Sequence, residues 1–227
     1  MQPDSTRVEG YFQRTAVDFD SLYEKKNLVH HWMNRLLRRA IYERVRLTVT
    51  ELEGMKDFAV LDVGCGSGRN SVIFAQAGAR RVLGIDFAPN MIDLARGYSA
   101  DAPGGDRCEF VTGDFYEHRF EERFEMVVAL GVFDYMRQPA NLLRRMMELS
   151  TGKVMGSFPG VSAVRAPLRK LRYSLKNCPV YFYTRARIAE VCRQAGLLDY
   201  RVVPCTSAGY MLIGTIGSRT PGQATNS

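Results

Sequence analysis

The stretch VLDVGCGSG, residues 60–68, decides the fold expected for this chain. It runs from an apolar β-type segment into glycines at three alternate positions, Gly64, Gly66 and Gly68. A turn without side chains lets a ligand lie against the backbone, and the start of a following helix offers free N–H groups to an anion. The sequence therefore predicts a strand, a glycine turn that binds an anionic group, and a helix.

Short β-type runs alternate with helical stretches on the C-terminal side of this turn. The β-type runs are FAVLDV, RVLGID, CEFV, FEMVVAL and KVMGSF, and helices are predicted near residues 69–77, 89–98 and 139–149. Such alternation is typical of parallel strands joined by right-handed crossovers, with helices on both faces of the sheet. A further helix is predicted to begin at Thr184.

The last two β-type runs, LDYRVVPC and YMLIGTIG, are separated only by residues 206–209. Because so short a connection permits only an antiparallel hairpin, the final strand is expected to run against its neighbours. The predicted fold is an α/β fold with a seven-stranded, mostly parallel sheet and an antiparallel last strand.

Three aspartates follow three successive predicted strands. Asp62 would repel a bound pyrophosphate and suits a positively charged amino group, and Arg69 stands where the dinucleotide fingerprint needs a glycine. Both features disfavour a nicotinamide oxidoreductase. Asp86, 20 residues after Gly66, is placed to accept hydrogen bonds from ribose hydroxyls, and Asp114 suits the exocyclic amine of adenine. The alternative is that the three aspartates only close turns and cap helices.

Residues 58–160, with these motifs, closely resemble class I S-adenosylmethionine (SAM) dependent methyltransferases. The resemblance implies a Rossmann-like fold, methyltransferase activity, SAM as cofactor and S-adenosylhomocysteine (SAH) as product. The residues expected to bind the cofactor are Tyr11, Tyr23, Asp62, Gly64, Cys65, Gly66, Gly68, Asp86, Phe87, Met91, Asp114, Phe115 and Leu130.

A second resemblance involves residues 11–27, 158–184 and 207–214, which are similar to magnesium-protoporphyrin IX O-methyltransferases. It implies a porphyrin-like carboxylate as methyl acceptor, and an arm carrying Tyr11 and Tyr23 over the SAM pocket. The chain departs from that family after the fourth strand, where GVFDYM, residues 131–136, replaces a segment with a histidine. The acceptor can therefore be another small metabolite.

Candidates on the acceptor side are Asp134 and Tyr135, which follow the fourth predicted strand where acceptor and cofactor meet in this fold. They are either catalytic or part of the loop architecture. Arg165, Arg169 and Arg172 fall at steps of four and three, so in a helix they would share one face. They either bind an anionic acceptor or form a solvated face.

Helical periodicity over residues 9–52 predicts a helical lid, so three parts are expected: a lid segment over 1–52, a catalytic domain over 53–217 and a disordered tail over 218–227. There is no signal-peptide pattern and no long apolar run, and a cytoplasmic protein is expected. The five cysteines are scattered without the spacing of zinc ligands, so no metal is expected.

A net charge of +7 and a pI near 9.3 favour an anionic partner without choosing between nucleic acid, a membrane surface and an acidic small molecule. No RNA-binding module is recognisable, so a small-molecule acceptor is favoured and nucleic acid is not expected. The alternatives are an RNA methyltransferase and a SAM-binding subunit without activity. The sequence does not indicate an oligomeric state.

Overall fold

A computed structural model describes residues 42–161, 180–205 and 209–217. Several predictions fall outside the described residues. They concern most of the lid segment and the tail, and the side chains of Tyr11, Tyr23, Arg165, Arg169 and Arg172.

The described elements are seven strands and five α-helices. The first helix covers 42–52 (α1). It is followed by Ala59–Val63 (β1), Arg69–Gln76 (α2), Arg81–Asp86 (β2), Pro89–Ala100 (α3), Cys108–Thr112 (β3), Phe124–Ala129 (β4), Pro139–Leu149 (α4), Ser150–Pro159 (β5), Arg185–Ala195 (α5), Tyr200–Cys205 (β6) and Gly209–Thr215 (β7). Two short 3-10 turns cover Gly105–Arg107 and Phe133–Tyr135.

The strands form a single sheet in the order β3-β2-β1-β4-β5-β7-β6. β1 pairs in parallel with β2 and β4, β2 with β3, and β4 with β5. β7 runs antiparallel to both β5 and β6. The mostly parallel sheet, its antiparallel last strand and the hairpin between β6 and β7 confirm the predicted topology.

Alternation along the inner strands divides the core between two faces. Val60 of β1 and Val82 of β2 pack with Phe74 of α2, whereas Leu61 and Leu83 belong to the cluster that α4 and α5 cover. Because side chains of a strand alternate between faces, Asp62 and Asp86 lie on the same face as Val60 and Val82. Both carboxylates therefore lie on the α2 side, at the carboxyl ends of adjacent strands.

The end of α1 is fixed to the sheet. Leu52 is buried in the cluster that includes Met155 and Met211. Lys153 Nζ donates to both the backbone oxygen and the carboxylate of Glu51 at 2.9 Å, and Arg201 pairs with the same carboxylate. The last part of the predicted lid segment thus packs against the core, while the domain boundary at residue 52 stays a prediction. No helix in the described part of the chain is both long and apolar enough to cross a membrane.

Candidate functional site

The glycine turn joins β1 to α2 and leaves open space beside its backbone. Gly64, Gly66 and Gly68 have φ values of 66°, 54° and 73°, a region that favours glycine. A Cβ at Gly64 would lie 2.5 Å from Val132 Cγ2, whereas at Gly66 no atom of the described residues would lie within 4 Å of it. Gly66 is therefore the point in the turn where a ligand can approach the main chain.

Asp86 is held against this turn by backbone donors. The N–H groups of Gly66 and Ala88 donate to its two carboxylate oxygens at 3.0 and 2.9 Å. Burial raises the pKa of Asp86, and the hydrogen bonds from Ala88, Gly66 and Phe87 oppose that rise. Each carboxylate oxygen has a second lone pair, so the fixed group can still accept hydrogen bonds from a ligand.

Asp62 is buried one strand away, with 1% of its surface exposed. Its Oδ2 accepts a hydrogen bond of 2.6 Å from Ser71 Oγ, in the first turn of α2. Burial raises the pKa of Asp62 to about 7, the Ser71 hydrogen bond lowers it, and the charge of Asp86 raises it. A cationic group bound beside Asp62 would favour its ionised form.

Asp114 closes the turn after β3. Its Oδ1 accepts from Tyr116 N at 2.7 Å, and its backbone oxygen accepts from the N–H groups of Glu117 and His118. Its Oδ2 has no hydrogen-bond partner among the residues that the structure describes. Phe115 beside it is buried and contacts neighbouring aromatic rings edge-on. The predicted contact with adenine stays a prediction.

The other predicted cofactor residues lie in three places: after β2, in the glycine turn and after β4. Met91 is buried and packs with Phe87 and Ala88 directly after Asp86, where they form an apolar surface. Burial raises the pKa of the Cys65 thiol well above its ordinary value, so it is no nucleophile. Leu130, half-buried after β4, packs against the cluster on the α2 side of the sheet.

Asp134 and Tyr135 lie in the 3-10 turn after β4 and are 2% and 7% exposed. Asp134 O accepts a 2.8 Å hydrogen bond from Tyr181 N. Tyr183 Oη donates to the backbone oxygens of Phe133 and Met136 at 3.0 and 3.3 Å. The segment before α5 thus fastens this turn, and the two catalytic assignments stay hypotheses.

Sequence reasoning missed three residues that contact a candidate or the backbone beside one, namely Ser71, Tyr183 and Ser157. Ser71 lies on the same helix face as Phe74 and Ala75, so a polar residue in an apolar helical stripe was the available signal. Tyr183 and Ser157 are different: Ser157 Oγ accepts from Gly131 N at 2.7 Å across 26 positions. Contacts between residues so far apart in sequence cannot be read from local pattern.

The Asp134 carboxyl on the acceptor side also affects the pKa of Tyr183. Burial, and then the nearby Asp134 carboxyl, raise the pKa of the Tyr183 phenol. Burial likewise raises the pKa of Tyr116 to about 12. Neither phenol is a base at neutral pH. Within residues 42–161, 180–205 and 209–217, no group of three or more His, Cys, Asp or Glu side chains is placed to hold a metal ion.

The strand order and the glycine turn with its two buried carboxylates define a SAM-dependent methyltransferase fold of class I. Residues 60–151 match a family described as "Methyltransferase domain". Residues 60–151 are therefore a methyltransferase domain with the class I fold, for which the cofactor is SAM.

Two curated relatives carry the name "Ubiquinone biosynthesis O-methyltransferase". The one from Neisseria meningitidis serogroup A is 29% identical over 61% of this chain and 63% of its own length. The one from Azorhizobium caulinodans is 35% identical over 43% of this chain and 38% of its own length. The chain thus spans less than two thirds of the length of these relatives.

A solved structure shares the fold of the described residues. It is the magnesium protoporphyrin IX methyltransferase from Synechocystis PCC 6803 with bound SAH, which has a TM-score of 0.75 and 21% identity, and the match covers 93% of this chain and 99% of that one. At this identity the likeness shows the fold alone.

Proposed function

We propose that this protein transfers a methyl group from SAM to an oxygen atom of a small-molecule acceptor. The observation that carries the proposal is that no atom of the described residues lies within 4 Å of a Cβ placed at Gly66, whose N–H group donates to the Asp86 carboxylate at 3.0 Å. The backbone at Gly66, which carries no side chain, and the fixed carboxylate of Asp86 together suit a ligand with ribose hydroxyls. The names of the curated relatives support oxygen as the accepting atom.

Each part of SAM has a candidate partner among the described residues. Asp86 would accept from the ribose hydroxyls, and Asp62 would face the ammonium group of the methionine moiety. Phe87 and Met91 would cover the adenine, and Asp114 Oδ2 would accept from its exocyclic amine. When bound, SAM supplies an electrophilic methyl group on a sulfonium.

The protein's part in such a displacement is to hold the acceptor in line and exclude water. A carboxylate acceptor, with a pKa of about 4, is already ionised at neutral pH, whereas a phenol, with a pKa of about 10, must first lose a proton. The phenols of Tyr116 and Tyr183 cannot take that proton, because burial raises their pKa. This favours an acidic acceptor, with Asp134 and Tyr135 as the candidate catalytic residues.

A screen of acceptor classes with radiolabelled SAM tests the proposal. The panel contains porphyrins and other carboxylic acids, phenols, amines and bulk RNA. We expect label in an alkali-labile methyl ester of an acid. Label in RNA would contradict the small-molecule assignment, and tight SAM binding without transfer to any acceptor would support a subunit without activity.

The predicted substrate arginines provide a sharper test. Arg165→Ala combined with Arg169→Ala should raise KM for the best acidic acceptor about tenfold and leave SAM affinity unchanged, because uniform binding affects KM before kcat. Arg144→Ala combined with Arg193→Ala removes the same charge from α4 and α5 and serves as the control. Unchanged kinetics in the first double variant would return these arginines to a solvated face.

A further inference from the structure

The contact between Asp62 and Ser71 is a pair of buried polar side chains behind the glycine turn. Ser71 is 0% exposed and Asp62 is 1% exposed, and the O–H to carboxylate distance is 2.6 Å. Burying a hydroxyl or a carboxylate costs free energy unless it has a hydrogen-bond partner. Removing either side chain would therefore leave the other buried without this partner.

The backbone explains why these two side chains meet. Asp62 points from β1 to the face that α2 covers, as Val60 does. Ser71 belongs to the first turn of α2, which begins directly after Gly68. The glycine turn therefore sets the position of both partners, and the hydrogen bond closes a ring between the end of β1 and the start of α2.

We propose that Ser71 is a positioning residue of the cofactor site, whose hydroxyl holds the Asp62 carboxylate as the acceptor for the ammonium group of SAM or SAH. The inference rests on the function proposed above. It concerns how that site binds its ligand and assigns a role to a residue outside the sequence motif.

The groups around Asp62 make this role depend on pH. Among the described residues, the titratable groups that face it are Asp86 at the end of β2, Cys65 in the turn and Cys108 on β3. Neither thiol is charged at neutral pH, because burial raises the pKa of each. Burial and Asp86 raise the pKa of Asp62 to about 7, and the Ser71 hydrogen bond lowers it.

The sign of the effect follows from which form binds the ligand. An ammonium group favours the ionised carboxylate, so ligand binding releases a proton from the fraction of Asp62 that is protonated. Affinity for SAH should therefore rise as pH rises through about 7 and level off above. Without Ser71, the pKa of Asp62 rises further, and the same increase in affinity should occur at higher pH.

Calorimetric titration of the full chain with SAH between about pH 5.5 and 8.5 tests this. Ser71→Ala should move the midpoint of the affinity profile up by about one pH unit, the equivalent of one hydrogen bond to a charged group. Affinity should then be roughly tenfold weaker than wild type at about pH 6.5 and less than twofold weaker at about pH 8.5. Ser71→Cys, which keeps the volume and a weak donor, should give an intermediate midpoint.

Two matched variants separate this role from a purely structural one. Ser99→Ala removes another buried helix hydroxyl, one that donates to Arg96 O, and should leave the profile unchanged. Asp62→Asn should abolish the pH dependence, and adding Ser71→Ala to it should produce no further shift. A Ser71→Ala profile that is weaker by the same factor at every pH would overturn the inference, as would an unshifted profile.

The outcomes also distinguish this inference from the proposed function. A wild-type protein that binds SAH with the expected pH dependence, beside an unshifted Ser71→Ala, would refute only the role of Ser71. A wild-type protein that binds no SAH at any pH would overturn the proposed function and this inference together.

Discussion

The carboxyl edge of the sheet has two halves that are built differently. At the ends of β1, β2 and β3, the candidate side chains are held by the turns that follow these strands and by the start of α2. Gly66 N and Ala88 N donate to Asp86, and Ser71 donates to Asp62. At the ends of β4 and β5, the 3-10 turn is held by a segment 47 to 50 positions further along the chain, through Tyr183. Turn chemistry fixes the first half, and tertiary packing fixes the second.

This difference implies that the two halves contact their ligands in different ways. A ligand at the first half meets backbone N–H groups and carboxylates at set offsets from strand ends. A ligand at the second half meets side chains whose placement depends on Tyr181 and Tyr183. We therefore expect variants in the first half to change cofactor affinity and variants in the second half to change turnover.

The largest expected effect is on stability, from Asp62→Asn. The pKa of Asp62 in the folded protein is about 7, above its ordinary 3.8, so the folded protein holds this proton more tightly than the unfolded chain does. The stability that the bound proton contributes is fully present below about pH 4 and is lost as pH rises through 7. The variant has no such loss. At pH 8 its free energy of unfolding should exceed that of wild type by on the order of 4 kcal/mol, while SAH affinity falls.

Urea unfolding of the ligand-free protein at about pH 8 and pH 4.5 measures this difference, which should shrink at the lower pH. Asp93→Asn, which removes an exposed carboxylate of α3, is the control and should change neither quantity. Equal free energies of unfolding for wild type and Asp62→Asn at both pH values would mean that burying the ionised Asp62 carboxylate does not destabilise the ligand-free protein.

The two halves can be compared directly through a matched pair of glycines. Gly66 and Gly131 both have positive φ, 54° and 85°, and no described atom lies within 4 Å of a Cβ at either. Alanine should therefore cost each about 1–2 kcal/mol of stability. Only Gly66→Ala puts a methyl group where the ligand is proposed to lie, and SAH affinity should fall at least a hundredfold, about 3 kcal/mol.

Gly131→Ala should leave SAH affinity within about threefold of wild type and lower turnover instead. Calorimetry and a methyl-transfer assay on the two variants provide the measurements. Equal losses of affinity would show that the two halves bind the cofactor jointly.

A smaller effect is expected from Asp86→Ala. Removing the carboxylate would leave the ribose hydroxyls without their acceptor, which should weaken SAM and SAH binding by about 1.5–3 kcal/mol. Calorimetry at neutral pH measures the change, with Asp93→Asn again as the control. Unchanged affinity would remove the ribose role from Asp86 and leave it as the residue that closes the turn between β2 and α3.

The sequence predicted the first half well because its rules are local. The strand ends, the glycine turn over 64–68 and the placement of Asp62 beside Asp86 follow from alternation and turn chemistry. Asp114 lies in the predicted turn, although the structure shows its Oδ1 closing that turn.

The second half could be predicted only as far as its strand and helix boundaries. The turn that carries the buried Asp134 and Tyr135 is hydrogen-bonded to a segment some 47 to 50 positions away. No periodicity in the sequence states which segment packs on that turn. Predicting it requires the parallel bridge between Gly160 and Tyr183, which places the segment at the end of β5.

The smallest effect, and the most direct test of the second half, is expected from Tyr183→Phe. The ring stays in its edge-on contact with Phe158, at 5.0 Å between centroids, so the variant removes only the hydroxyl that donates to Phe133 O and Met136 O. Losing this donor to the buried Phe133 carbonyl and the partly buried Met136 carbonyl should cost about 1 kcal/mol of stability and loosen the turn. We expect kcat to fall several-fold with SAH affinity unchanged, and Tyr98→Phe, at an exposed position on α3, to alter neither. If SAH affinity fell in parallel with kcat, the turn after β4 would belong to the cofactor site, and the division between the two halves would lie between β4 and β5 instead.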